Sequence, residues 1–130
     1  MLYSNDATTD FFQPRFGTSK RSSVHVSSMM QRLAQLSNQR QWILFTGECP
    51  RPQVSELSTY QVDFHKVIHM KPSQRHNEVD IVLQAIRRGT ASAIVASHRI
   101  PAHLRQSLIT TGQQHHCEVF FVAQHPSVLH

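Results

Sequence analysis

Apolar positions fall into a regular pattern from Ser27 onward. Met29, Leu33 and Leu36 are spaced for one face of a helix, with Ser27 or Ser28 as N-cap and an end expected near Asn38. Trp42-Ile43-Leu44-Phe45-Thr46, closed by Gly47, is a continuous apolar run of the kind a strand buried on both faces requires. The next stretch predicts a turn and a helix opened by Pro52 at its first position, with Val54, Leu57 and Ser58 facing inward. Phe64 to Met70 alternates in part and predicts a second strand. Val79, Val82, Leu83 and Ile86 then follow the i, i+3, i+4, i+7 rule of a helix, started by Pro72-Ser73 and stopped by Arg87-Arg88-Gly89. Ala91 to Ala96 predicts a third buried strand. Pro101 opens a helix carrying Leu104, Leu108 and Ile109 that Gly112 should end, and Val119 to Val122 predicts the fourth strand.

Helix followed by strand, four times over, with each strand a solid apolar run, implies a three-layer α/β fold: a mostly parallel sheet with helices on both faces. Residues 1–26 mix Ser, Thr, Asn, Asp and Pro without a sustained period and read as a flexible tail, residues 27–123 as the domain, and residues 124–130 as a second flexible tail. Phe11, Phe12 and Phe16 break the polarity of the first tail, and serve either to dock on a partner or to fold back on the domain.

With 130 residues the chain buries enough surface to hold a core without disulfides or a structural metal. Its two cysteines, Cys49 and Cys117, are too few for a cysteine-stapled secreted fold, and a reducing compartment, the cytoplasm, is the expectation. No apolar run approaches the roughly 20 residues that a bilayer requires, so no membrane partner is expected. The N-terminus has no hydrophobic block of the secretory kind. Thirteen Lys and Arg against eight Asp and Glu leave a net charge of +5, suited to phosphate or to an acidic protein surface.

Catalytic and cofactor motifs are largely missing. The loop after the first strand, Gly47-Glu48-Cys49-Pro50-Arg51-Pro52, has one Gly, two Pro without N–H groups and no Gly-Lys-Ser/Thr ending, so it is no phosphate cradle. His115-His116-Cys117 and the pair His65/His69 are the close histidine groupings, and neither has metal-site spacing. Cys49 stands after a strand, either as a structural thiol or as a nucleophile if His98 or His103 converges on it. Glu48, Asp63 and Glu78 are acids placed near strand ends, without an evident pairing. Arg87, Arg88, Arg99 and Arg105 would have to gather to bind nucleic acid, and no aromatics interleave them, so nucleic acid is the less favoured, alternative partner.

Three segments, QWILFT, FHKVIHM and NEVDIVLQAIRRGTASAIV, resemble in their order the SulA family of SOS-induced cell-division inhibitors. The likeness is firm from Gln41 to Val95 and poor beyond His98. It implies a RecA-like fold that has lost its nucleotide loop, with no cofactor and no enzymatic activity. The family binds FtsZ, a tubulin-like division protein, and blocks its polymerisation and GTPase. Lys66 matches a family position tied to inhibition, Arg40 lies one place from the family's basic residue before the Trp, and Phe45 matches a second aromatic, with core packing as its alternative role. Arg51 and Tyr60 flank the same segment and join the expected FtsZ-binding set on chemistry alone. The terminal Leu129-His130 is similar to the ending by which the Lon protease recognises such inhibitors. A homodimer through the sheet edge is also implied, since a bare Phe120-Phe121 edge would need cover.

Overall fold

The computed structural model describes residues 19–123, with side chains from Ser28 onward. Four strands form one all-parallel sheet: β1 (Trp42–Phe45), β2 (Val67–His69), β3 (Ala91–Ser97) and β4 (Glu118–Val122), in the order β2-β1-β3-β4. Helices α1 (Ser19–Leu36) and α2 (Val54–Thr59) cover one face, while α3 (Glu78–Arg88) and α4 (Ala102–Gln114) cover the other. The three-layer α/β architecture expected from the apolar runs is the one observed.

Alternation along the strands feeds two cores. Ile43, Phe45, Ala93 and Val95 turn towards Met30, Leu33 and Leu36 of α1 and Leu57 of α2. Ile94, Ala96 and Val119 turn the other way, onto Val82 and Ile86 of α3 and Leu108 of α4. β3 is buried along its whole length because it has a strand on each side and a core on each face. That position explains its run of Ala, Val and Ile: small and branched side chains fill a pleated surface packed on both sides.

Several boundaries differ from the sequence expectation. α1 begins at Ser19 rather than Ser27, because no Gly or Pro interrupts the chain between Ser19 and Leu36. Its first turns occupy part of the segment read as a tail; residues 1–18 and 124–130, with Phe11, Phe12, Phe16, Leu129 and His130, lie outside the described residues. α2 starts at Val54, beyond Pro52, and only Leu57 of the three expected inward residues is buried; Val54 and Ser58 face solvent. Phe64–Lys66 forms a turn of 3₁₀ helix instead of strand, since Asp63 accepts the His65 N–H (3.1 Å) and caps it. The start of α3 is set by Asn77, whose side chain accepts the Asp80 N–H at 2.9 Å, not by Pro72-Ser73. Gly89 ends that helix in the left-handed conformation (φ 72°), as expected.

Gly112 does not end α4, which runs to Gln114. A Cβ there would strike the Cys117 carbonyl and come within 2.9 Å of Val119 Cγ2, so the glycine serves close packing of α4 on β4. At the far edge of the sheet, Phe120 and Phe121 are half-buried, one in each core. Glu118 of β4 takes a two-toothed ion pair from Arg32 of α1, with Nε at 2.8 and 3.0 Å from its two oxygens.

Candidate partner-binding site

The amino ends of β1 and β2 bring part of the expected set together. β1 and β2 pair in register with Ile43 beside Val67, which places Trp42 next to Lys66. The Lys66 ammonium donates to the Arg40 carbonyl (3.1 Å) and stands 5.9 Å from the Trp42 ring centre, inside cation–π range. Trp42 is anchored at its backbone, donating to Thr90 O (2.9 Å), while 41% of the residue remains exposed. A rigid aromatic backed by a held cation is the sort of anchor that protein interfaces concentrate.

The remaining expected residues go elsewhere. Phe45 is a core residue, only 5% exposed, because strand alternation turns it inward with Ile43; the core-packing role, not the surface one, is what this side chain has here. Arg51 is exposed at the opposite end of β1 and lines a shallow groove with Val54, Leu57, Phe64, Val67 and His69. Tyr60 is half-buried, packed on the first core. The four exposed large apolar residues among those described are Trp42 (41%), Val54 (55%), Phe64 (41%) and Ile68 (40%). All four flank β2 or its neighbour β1. Val54, Phe64 and Ile68 escaped the sequence reading because each was assigned to a buried face or strand; for Phe64 and Ile68 the cue was His65, Lys66 and His69 interleaved with them, a poor fit to an interior strand.

A different arrangement closes the carboxyl end of the sheet. Glu78, buried at the start of α3, accepts from Thr46 Oγ1 (2.5 Å) after β1 and from the Ser97 N–H (2.7 Å) at the end of β3. A helix N-terminus favours that negative charge. Cys49 lies alongside, 3.4 Å from both Thr46 Oγ1 and the Val95 carbonyl, and burial pushes its thiol up to about 11. A protonated, enclosed sulfur is a poor nucleophile, which favours the structural over the catalytic role. Neither His98 nor His103 bonds to it; His69 Nε2 meets the Cys49 carbonyl instead, at 2.9 Å. One oxygen of Glu48, Oε1, is enclosed without a hydrogen-bond partner among the described residues. At Gly47, just after β1, a Cβ would lie 2.3 Å from the Pro72 nitrogen, so the chain itself fills the space over the first loop.

The arginines proposed for nucleic acid do not gather. Arg87 and Arg88 end α3, at the amino end of the sheet, whereas Arg99 and Arg105 lie beyond the carboxyl end of β3, a strand of seven residues that spans about 20 Å. Arg105 is further engaged with the carbonyls of His98 (2.8 Å) and Ile100 (2.6 Å). His115 bonds the Thr111 carbonyl and Cys117 is buried, so the histidine-cysteine run serves separate ends. Among the described residues, no group of three His, Cys, Asp or Glu could hold a metal ion, and no helix is long and apolar enough to cross a membrane.

No protein-family model matches the sequence, and no curated protein matches it. In fold the chain is similar to a solved structure, SulA from Pseudomonas aeruginosa, with a TM-score of 0.57 and 12% identity over 83% of this chain and 90% of that one. The likeness is one of fold: a parallel sheet between helical layers, as the motif order in the sequence implied.

Proposed function

We propose that this protein inhibits cell division by stoichiometric binding of FtsZ, blocking its polymerisation and GTPase without catalytic turnover or a bound cofactor. The observation that carries this reading is the Trp42–Lys66–Arg40 cluster on a SulA-like fold, where a lysine matched on the resemblance is held beside an exposed aromatic. A basic face suits an acidic partner, because complementary charge speeds encounter and fixes register. The reading extends to a cytoplasmic SOS-response role, with Leu129-His130 as the signal for removal by Lon and a second copy pairing at the sheet edge. It assigns contact to Trp42, Lys66, Arg40, Arg51 and the half-buried Tyr60, and leaves Phe45 to the core.

Sedimentation of FtsZ with GTP, titrated with this protein, tests the proposal. Loss of pelleted polymer that saturates near one-to-one, and that Lys66→Ala weakens about tenfold, is the expected result. Polymer unaffected at several-fold excess would remove the division-inhibitor reading.

A further inference from the structure

β2 is an edge strand, and its outer side is unpaired by any strand among the described residues. The Met70 N–H donates to the Phe45 carbonyl (2.8 Å), which fixes the phase of the ladder: Ile68 and Met70 address β1, so the main-chain groups of Val67 and His69 point outward. The Val67 N–H is taken by the Phe64 carbonyl. What remains is a row formed by the Val67 carbonyl and the His69 N–H and carbonyl, the template that an added strand uses.

Both sides of this edge are apolar. Trp42 and Ile68 lie on one face of the sheet; Val54, Phe64 and Val67 line the groove on the other. Four cations, Arg40, Arg51, Lys66 and Lys71, flank the edge, against Glu56 and Asp63; Asp63 is engaged in capping the 3₁₀ turn. The opposite edge strand, β4, has its Glu118 carboxylate held by Arg32 from the covering helix.

From this arrangement we infer that β2 captures an extended acidic peptide segment by strand addition, its alternate side chains falling on the Trp42–Ile68 face and in the Phe64–Val67 groove. The inference deepens the proposed function, naming the form in which the partner protein is held. Main-chain bonds from His69 and Val67 supply the register, the apolar flanks supply burial, and Arg51 and Lys66 meet carboxylates at the two ends of the strand.

The test uses the full-length ¹⁵N-labelled protein and a short synthetic peptide with a run of Val flanked by Glu at both ends. Three counterparts accompany it: the same peptide N-methylated on alternate amides, one with Lys in place of Glu, and the Ile68→Glu protein, whose unfolding transition is recorded as a check on folding. Expected are resonance shifts centred on Trp42, Phe64 and residues 67–69, with exchange of the His69 amide slowed at least roughly tenfold at saturation. Affinity should fall by about the same factor on N-methylation and on the change to Lys, and should be lost in Ile68→Glu. Shifts without protection of the His69 amide, indifference to N-methylation, or no shifts at millimolar peptide would overturn strand addition. Protection already present in the free protein would also overturn it, and would assign the edge to a second copy if it rises with concentration, or to the chain's own termini if it does not. Peptide binding at the edge combined with unaffected FtsZ polymer would sink the division-inhibitor reading alone; inhibited polymer with an unprotected His69 amide would sink strand addition alone.

Discussion

The carboxyl end of β1 and β3 and the outer edge of β2 belong to the same sheet and are finished in opposite ways. At the first, Glu78 bridges Thr46 and Ser97, Cys49 fills the gap beside them, and Pro72 packs against Gly47. At the second, main-chain groups face outward between exposed Trp42, Phe64 and Ile68. Ligands of open parallel sheets generally bind beyond the carboxyl ends of the strands. Here that location is occupied by the protein's own side chains, and the exposed apolar residues stand at the flank instead. The difference teaches that closure of one site and exposure of another can be read from where polar groups find their partners.

Substitutions should separate the two regions by what they cost. The largest loss is expected for Phe45→Ala, about 3–5 kcal/mol of stability for a truncated core aromatic, seen as an earlier urea midpoint. A midpoint left unchanged would return Phe45 to the surface. Glu78→Ala leaves a buried hydroxyl and a buried N–H without their acceptor and should cost about 2–3 kcal/mol by the same measurement, with Glu78→Gln costing less. Stability indifferent to Glu78→Ala would mean that the closed end is not held by this carboxylate.

On the flank the order reverses. Trp42→Ala and Lys66→Ala should each weaken inhibition of FtsZ pelleting by about tenfold while shifting unfolding by no more than ~0.5–1 kcal/mol, because these side chains are exposed or rim the core. A stability loss as large as that of Glu78→Ala would make them structural. A last effect concerns pH and is absent at neutral pH. Burial holds the Cys49 and Cys117 thiols at about 11 against an ordinary 9.0. Above pH 9 the unfolded chain releases those protons while the folded one keeps them, so stability is full below pH 9 and declines as pH rises towards 11. Cys49→Ala and Cys117→Ala should each flatten that decline in urea titrations; a decline of the same steepness in both variants would assign it to other groups.

Legibility in the sequence followed how local each feature is. β1, β3 and α3 were evident because an apolar run or a 3.6-residue period is written in consecutive positions, and Gly89 marks its own helix end. The resemblance also singled out Lys66, which the structure sets beside Trp42 and the Arg40 carbonyl. The sequence did not show that β2 stands at an edge, since strand order depends on which distant segments pair; Ile68 therefore read as one more strand residue, with nothing to mark it as exposed. Phe45 and Trp42 lie in one run of four residues, yet one is core and the other surface, because the strand's alternation and its end position act together. Gly112 misled for a related reason: a glycine required by a neighbour in space carries the same letter as one required by a turn. Glu78 was noticed as an acid near a strand end, but its two partners lie 32 positions before it and 19 positions after it.

The contact between Gly47 and Pro72 also bears on how this chain can vary over generations. No side chain enters at position 47 unless the backbone around position 72 first gives way, and that backbone leads into the cap of α3. Single-step change at position 47 is therefore barred, and the two positions should drift together or stay as they are. A segment 25 positions further along thus holds position 47 to glycine, a constraint set by a neighbour in space rather than by the local turn.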